Sequence, residues 1–423
     1  MTNAFTLPPI NQIDDYDPNS LSVDEARRII HRYLTPITRT EEIAIYDALY
    51  RITAEDILAP FAVPDHDNSA MDGYAFHSRE LVTPQVSLRV VGSVYAGHPF
   101  VGEIHAGEAL RIMTGAVIPS SVDTVIMQEA VRREGEQIDF AAQGVRAGQN
   151  IRRRGEDISQ GSVAVARGSQ ITPAHMGLIA SLGMKSVKVF QPLKVAFFST
   201  GDELTPVGQT LEAGQIYDSN RYSLKGLLSS LNLECRDLGI VRDNPEHLKH
   251  VFNEASQWAD VIISSGGVSV GDADFVKTLM AELGQVVFWK LAMKPGRPLA
   301  YGKIHQSHFF GLPGNPVAVM VTFYQFVQHA LRLLSGQVIT HRAPQVRYPL
   351  AENIKKAPGR MEFQRGIVFQ NEQGEWLVKS TGNQSSGVLS SMTQANCFIV
   401  LPMECGSLNR GEWVEVELFN GIV

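Results

Sequence analysis

The sequence predicts a multidomain chain of α/β and β class: a doubly wound α/β domain, a β-rich inserted domain before it and a C-terminal β-barrel-like domain after it. Three observations predict this. Between residues 194 and 336, continuous apolar runs alternate with amphipathic helical patterns, as in a parallel sheet covered on both faces. Residues 58–158 hold short β-type runs punctuated by Gly, Asp and Asn, and the last 80 residues hold five more such runs. The length of 423 residues admits two to four domains at roughly 100–200 residues each.

The elements follow in order. Residues 1–20 read as a flexible polar arm. Ser22-Val23-Asp24-Glu25 is a capping box, with Ala26, Ile29, Ile30 and Tyr33 on one helical face. In the insert, runs at 86–94, 109–113 and 124–127 read as strands. A helix resumes at Thr172-Pro173, a cap residue followed by Pro at the first helical position, and stops at Gly183. Two helical pieces flanking a β-insert predict one discontinuous domain, 21–57 with 159–192. In the α/β domain, 193–337, strands are expected at 195–199, 234–241, 261–264, 286–291, 299–304 and 309–311. Helices are expected at 219–231, after Asn244-Pro245-Glu246 with Leu248, Val251, Phe252 and Ala255 inward, at 274–283 and at 316–334. The final domain, 341–423, carries strand-like runs at 345–350, 363–369, 376–380, 398–401 and 413–418.

Composition excludes several function classes. With 37 Lys+Arg against 44 Asp+Glu the net charge is −7, which argues against general nucleic-acid binding. Cys235, Cys397 and Cys405 form no CxxC, so a zinc ribbon or disulfide framework is not expected, and a reducing, cytoplasmic compartment is. The longest apolar stretch, 317–327, is too short to span a bilayer and includes Gln325. Asp14, Asp15 and Asp17 among prolines do not make a signal peptide.

Ligands of a doubly wound sheet bind beyond the carboxyl ends of its strands, and the unusual residues sit there. Ser199-Thr200-Gly201-Asp202-Glu203 follows one run, Arg242-Asp243 the next and Ser264-Ser265-Gly266-Gly267-Val268-Ser269-Val270-Gly271-Asp272-Ala273-Asp274 the third. Met293-Lys294-Pro295-Gly296-Arg297-Pro298 and Leu312-Pro313-Gly314-Asn315-Pro316 complete the set. Glycines allow backbone N–H groups to converge on an anion. Asp202, Glu203, Asp243, Asp272 and Asp274 together call for a hard cation or basic partners, and Lys290, Lys294 and Arg297 supply positive charge. Singly, each loop reads as a turn or a helix cap. As a set they read as a Mg²⁺-assisted phosphate site.

In the insert, Asp67-Asn68-Ser69-Ala70-Met71-Asp72-Gly73-Tyr74, Arg111-Ile112-Met113-Thr114-Gly115-Ala116 and Asn150-Ile151-Arg152-Arg153-Arg154-Gly155-Glu156-Asp157 form a second cluster. Its arginines fit either a solvated ion-pair network or an anion site. There is no G-x-S-x-G or Walker A sequence, and Gly266, Gly267 and Gly271 do not make G-x-G-x-x-G. His247 and His250 lack a third ligand for zinc.

These motifs, with Pro64-Asp65-His66 ahead of the first, resemble in order the signatures of the molybdopterin molybdotransferases, the family of bacterial MoeA and the gephyrin E domain. The resemblance runs from about residue 20 to the C-terminus. It implies a homodimer whose active site joins the α/β domain of one subunit to the insert of the other. It implies a reaction in which adenylated molybdopterin and molybdate give molybdenum cofactor and AMP, with Mg²⁺. By motif match, Asp72, Thr114 and Asp157 are the insert's contribution with Arg152 nearby, and Glu203, Asp243 and Asp274 surround Mg²⁺ and the phosphates. Lys290, Lys294 and Arg297 neutralise the substrate, Ser265, Gly266, Gly267 and Ser269 bind it, Pro313 and Pro316 shape a loop beside it, and Arg365 and Ser386 hold molybdate. A molybdopterin adenylyltransferase and downstream cofactor-handling proteins are the implied partners, with no nucleic acid or membrane. The alternatives are a non-catalytic carrier or scaffold for molybdopterin, and an adenylyltransferase acting through the α/β domain alone.

Overall fold

The computed structural model describes residues 19–267, 281–339 and 346–419, with positions 10, 17 and 279. Ser269, Asp272, Asp274 and most of the helix expected at 274–283 lie outside the described residues. The chain divides into two compact units, one of Glu42–Leu49 with Thr53–Val189, the other of Met1–Glu41, Tyr50–Ile52 and Phe190–Val423.

The smaller unit is built on a six-stranded sheet ordered Thr124–Met127, Gly73–Phe76, Glu108–Ile112, Gln85–Val94, Gln137–Ala141, Arg132–Glu134. Along Gln85–Val94 burial alternates, with Val86, Leu88 and Val90 inward, because side chains on a strand point to opposite faces. The Pro173–Ser181 helix is closed by the expected Thr172 cap, whose Oγ1 accepts from the His175 N–H at 3.3 Å.

The larger unit contains a six-stranded sheet ordered Glu234–Val241, Lys194–Thr200, Val261–Ser265, Ser307–Leu312, Pro298–Ile304, Gly284–Lys290. The first four strands are parallel, as expected for a doubly wound sheet. The fifth is not: Pro298–Ile304 is antiparallel to both neighbours, so the edge strand Gly284–Lys290 runs with the first four and the sheet is mixed. Only His305 and Gln306 separate Pro298–Ile304 from Ser307–Leu312, a turn that can make a hairpin but not a parallel crossover.

Both faces are covered. The Pro245–Trp258 helix packs on one face through Leu248, Val251, Phe252 and Ala255. The other face takes Leu224 and Leu228 and the long helix from Pro316 to Leu334. It also takes Val23, Ala26, Ile29 and Ile30 of the Val23–Tyr33 helix. That helix, expected to share a domain with 159–192, thus belongs to the α/β core, since its apolar stripe finds Trp289, Leu291 and Phe326 there. Ile10, within the expected polar arm, is buried in the same cluster.

The long helix contains a π turn at Phe323–Val327. At 19 residues it is long and apolar enough to cross a membrane by length and composition, but two thirds of it is buried here, the pattern of a core helix. Gln325, a buried polar residue at its centre, is satisfied: its Nε2 donates to Glu417 Oε2 at 2.7 Å, and Arg27 Nε donates to its main-chain carbonyl at 3.1 Å.

The C-terminal sheet runs Met293–Lys294, Met361–Gln370, Cys397–Leu401, Trp413–Leu418, Val346–Pro349, with Trp376–Ser380 beside Met361–Gln370. A bridge between Leu350 and Val378 joins its two ends, and Val378, Ile399 and Leu401 fill the interior. The expected barrel-like character is present.

His308, buried between strands, has an Nδ1 with no hydrogen-bond partner among the described residues. Burial, aided by Lys303, pushes its pKa down to about 4, against a weaker upward pull from Asp260. The folded protein therefore keeps the ring neutral where the unfolded chain, near its ordinary value of about 6.5, takes a proton. This contribution is complete above about pH 6.5 and drains away as pH falls toward 4. His308→Phe is expected to remove about 2 kcal/mol of the wild-type stability loss between pH 7.5 and 5, read by urea unfolding at both pH values. An unchanged pH dependence would refute the assignment.

Candidate active site

The switch point of the α/β sheet lies between Lys194–Thr200, whose chain leaves toward Glu234–Val241, and Val261–Ser265, whose chain leaves the other way. The strand ends are packed closely there. Gly266 and Gly267 adopt φ of +91° and +68°, and a Cβ on Gly266 would lie 2.2 Å from the Thr200 carbonyl oxygen. A Cβ on Gly267 would lie 2.9 Å from Thr200 Cγ2. Only glycine supplies both the left-handed backbone and the close approach.

The acids gather at the same edge. Thr200 Oγ1 donates to Asp243 Oδ1. The Glu203 carboxylate folds back over Gly201, so that a Cβ there would sit 2.5 Å from Oε2. Asp202 is engaged by Arg242, whose Nη1 donates to its main-chain carbonyl at 3.0 Å and lies 3.9 Å from its Oδ1. Among the described residues no three metal-ligating side chains are gathered. Two carboxylates that leave the remaining positions to water and phosphate oxygens still suit Mg²⁺, a hard cation that keeps much of its hydration.

From this edge a chain of hydrogen bonds leads to the C-terminal sheet. Ser265, fully buried, accepts from Asn220 Nδ2 at 2.8 Å, and the same Nδ2 donates to the Gly314 carbonyl at 2.6 Å. Pro313 is buried and Pro316 opens the helix, its ring fixing φ where no N–H is needed. The next N–H, of Val317, donates to the Ser386 carbonyl at 3.1 Å. Adjacent to Ser386, the Ser385 carbonyl accepts from Arg365 Nη2 at 3.1 Å. Thus Ser265, Gly266, Gly267, Pro313, Pro316, Ser386 and Arg365, spread over 122 positions of sequence, are structurally contiguous.

Arg365 is the unusual member. It is 1% exposed, its Nε donates to Ser391 Oγ at 3.0 Å, and no carboxylate pairs with it among the described residues. Burial draws its pKa down to about 10, so it remains a cation at neutral pH. Lys294, its side chain about half exposed, has Nζ 3.6 Å from Oε1 of the buried Glu362. Lys290 closes the Gly284–Lys290 strand opposite Pro298, and Arg297 is exposed.

The smaller unit holds its own cluster. Asp72 Oδ1 accepts from the Thr114 N–H and from Thr114 Oγ1, both at 2.8 Å. The N–H bond first, then the hydroxyl, holds the Asp72 carboxyl below its ordinary range. Arg152 pairs through its backbone with Asn68 and keeps an exposed side chain. Arg153 Nη1 instead donates to Asp67 Oδ2 at 2.6 Å, so the run divides between an ion-paired Arg153 and the side chains of Arg152 and Arg154, which have no carboxylate partner among the described residues. Asp157 is exposed, and its N–H donates to the Val63 carbonyl at 3.0 Å. Asn68 is nine-tenths buried with an Oδ1 that finds no donor among the described residues.

Asp218 and Asn220 lie in none of the motifs that the sequence offers. Asp218-Ser219-Asn220 ahead of an amphipathic stretch signals a helix start, and Asp218 does act so, accepting from the Arg221 N–H at 3.2 Å. Nothing in that pattern reveals that Asn220 reaches two other loops.

Comparison with known proteins agrees in every segment. Residues 21–183 match the MoeA N-terminal region (domain I and II), 196–333 a probable molybdopterin binding domain, and 347–419 the MoeA C-terminal region (domain IV). A molybdopterin molybdenumtransferase of Haemophilus influenzae is 46% identical over 403 residues, covering 95% of this chain and all of that one. Gephyrin of Dictyostelium discoideum is 34% identical, covering 96% of this chain and 63% of its own length. The crystal structure of the molybdopterin biosynthesis moeA protein from Pyrococcus horikoshii superposes with a TM-score of 0.82 at 29% identity, over 95% of this chain and all of that one. With an identity of this size spanning nearly its whole length, the chain belongs to the MoeA family of molybdopterin molybdenumtransferases.

Proposed function

We propose that this protein inserts molybdenum into molybdopterin: it takes adenylated molybdopterin and molybdate, breaks the phosphoanhydride, releases AMP and leaves molybdenum on the dithiolene. The observation that carries the reading is the packing of Gly266 and Gly267 on Thr200 at the sheet's switch point, beside the carboxylates of Glu203 and Asp243. Bare backbone there can approach a phosphate group, and phosphoryl chemistry needs positioning and charge neutralisation more than a strong nucleophile. Glu203 and Asp243, with Asp274, would hold Mg²⁺, which when bound supplies positive charge to the phosphate oxygens. Lys290, Lys294 and Arg297 are in this reading the source of fixed positive charge for the anionic substrate.

Molybdate is a dianion, and Arg365 with Ser386 is its proposed seat, since a buried guanidinium without a carboxylate favours an anion nearby. Asp72, Thr114, Arg152 and Asp157 belong in this reading to a homodimer whose subunits share their active sites.

Purified protein given adenylated molybdopterin and Mg²⁺ should release AMP only when molybdate is present. Tight retention of the substrate with no AMP in either case would make the protein a carrier. ATP consumption on plain molybdopterin would make it an adenylyltransferase.

A further inference from the structure

Asn220 lies outside every motif described above, yet its side chain holds two of the site's loops together. Its Nδ2 has two acceptors, Ser265 Oγ at 2.8 Å and the Gly314 carbonyl at 2.6 Å. A carbonyl oxygen cannot donate, so the amide must be oriented with nitrogen toward Gly314. Its Oδ1 is then directed away from both, is shielded from solvent, and has no donor among the described residues. A buried carbonyl left without a donor costs about 1–3 kcal/mol, a loss a folded chain normally avoids.

The residue is also held in place from behind. Asp218, 1% exposed, accepts from Ser199 Oγ at 2.8 Å and from Arg221 Nε at 2.9 Å, and Arg221 Nη1 donates to Asp237 at 2.7 Å. This network ties the start of the Asn220–Ser229 helix to the Lys194–Thr200 and Glu234–Val241 strands. Asn220 therefore stands on a fixed base between the Ser265–Gly267 turn and the Pro313–Pro316 loop. The first of those is the turn that the proposed function sets against the substrate phosphate, and the second is the loop that the family resemblance sets beside the same substrate.

We propose that Asn220 is a positioning residue of this site: its amide N–H groups set the spacing of the two loops, and its buried carbonyl is reserved for an N–H donor of the bound substrate. The inference rests on the proposed function, because both the adenine and the pterin of that substrate carry such donors.

The test uses the full-length protein, steady-state AMP release and melting temperature, with Asn220→Ala and Asn220→Asp. Asn220→Ala should raise KM for adenylated molybdopterin roughly 5- to 150-fold, the range that corresponds to a lost buried acceptor. The change in kcat should be smaller, and Tm should stay within about 2 °C. In Asn220→Asp a carboxylate faces the Gly314 carbonyl at neutral pH. Protonation restores a donor, so KM should recover toward wild type as pH is lowered to about 5. A purely structural role would lower Tm and leave the pH dependence of KM as in wild type.

Direct binding of AMP and of molybdopterin then identifies the donor: weakened AMP affinity assigns it to adenine, weakened molybdopterin affinity to the pterin. Wild-type KM in both variants, or in Asn220→Asp alone should the alanine variant not fold, overturns the inference. Absence of AMP release from the wild type would instead overturn the proposed function.

Discussion

Replacing Lys294 by alanine should slow molybdate-dependent AMP release by roughly 30- to 1,000-fold, the loss of about 2–4 kcal/mol of transition-state stabilisation. The position explains the size. Lys294 ends the Met293–Lys294 strand, whose pairing with Met361–Gln370 joins the α/β sheet to the C-terminal sheet. Its only ion-pair partner among the described residues is Glu362, at 3.6 Å, leaving its ammonium available to a phosphate. The substitution also strands the buried Glu362 carboxylate, which then retains the Gln364 amide at 2.8 Å as its partner. The double variant Lys294→Ala/Glu362→Gln separates the two effects. Stability should return while activity stays low, because the missing charge is still missing. Activity restored in the double variant would mean that Lys294 serves only Glu362, and normal single-turnover rates in Lys294→Ala would remove it from the reaction.

The second large effect concerns the buried guanidinium. Arg365→Met keeps the apolar stem and removes the charge, so the molybdate concentration for half-maximal AMP release should rise roughly 10- to 150-fold, as for a lost charged hydrogen bond. Saturating molybdate should recover most of the rate. The carbonyls of Asn383 and Ser385, now accepting from Arg365 at 3.4 and 3.1 Å, would lose a donor in the variant. A rate deficit that no molybdate concentration repairs would therefore assign Arg365 to holding the 383–386 segment and not to binding the anion.

Local signals were legible where the chain's own chemistry decides. Asn244 caps its helix by accepting from the His247 N–H at 3.0 Å, as the Asn-Pro-Glu sequence predicts. Ser22 does the same at 3.2 Å, although Glu25 leaves the reciprocal half of the expected box for Arg28 at 3.1 Å. Strand direction was less legible. The runs that become Gly284–Lys290 and Pro298–Ile304 are apolar in the same manner as their parallel neighbours, and hydropathy carries no sign for chain direction. Only the two-residue spacing at His305 and Gln306 encodes the hairpin.

The site divides along the same line. Gly266 and Gly267, Glu203, Asp243 and Lys294 stand out in sequence because each sits in a motif after an apolar run. Asn220 and Asp218 resemble ordinary helix caps, since a short polar side chain looks alike whether it closes a turn or bridges two loops.

The sequence by itself therefore determined which elements form, which residue types are unusual, and the family to which their order belongs. Folding in three dimensions decided that the Val23–Tyr33 helix joins the α/β core and that one strand, Pro298–Ile304, runs against the rest of its sheet. It also decided that Ser265, Gly314, Ser386 and Arg365 meet through Asn220 and the start of the Pro316 helix. Caps and periodicity depend on neighbours within a turn of chain. Which apolar face covers which, and which buried donor finds which acceptor, depends on residues far apart whose contacts exist only once the core has closed.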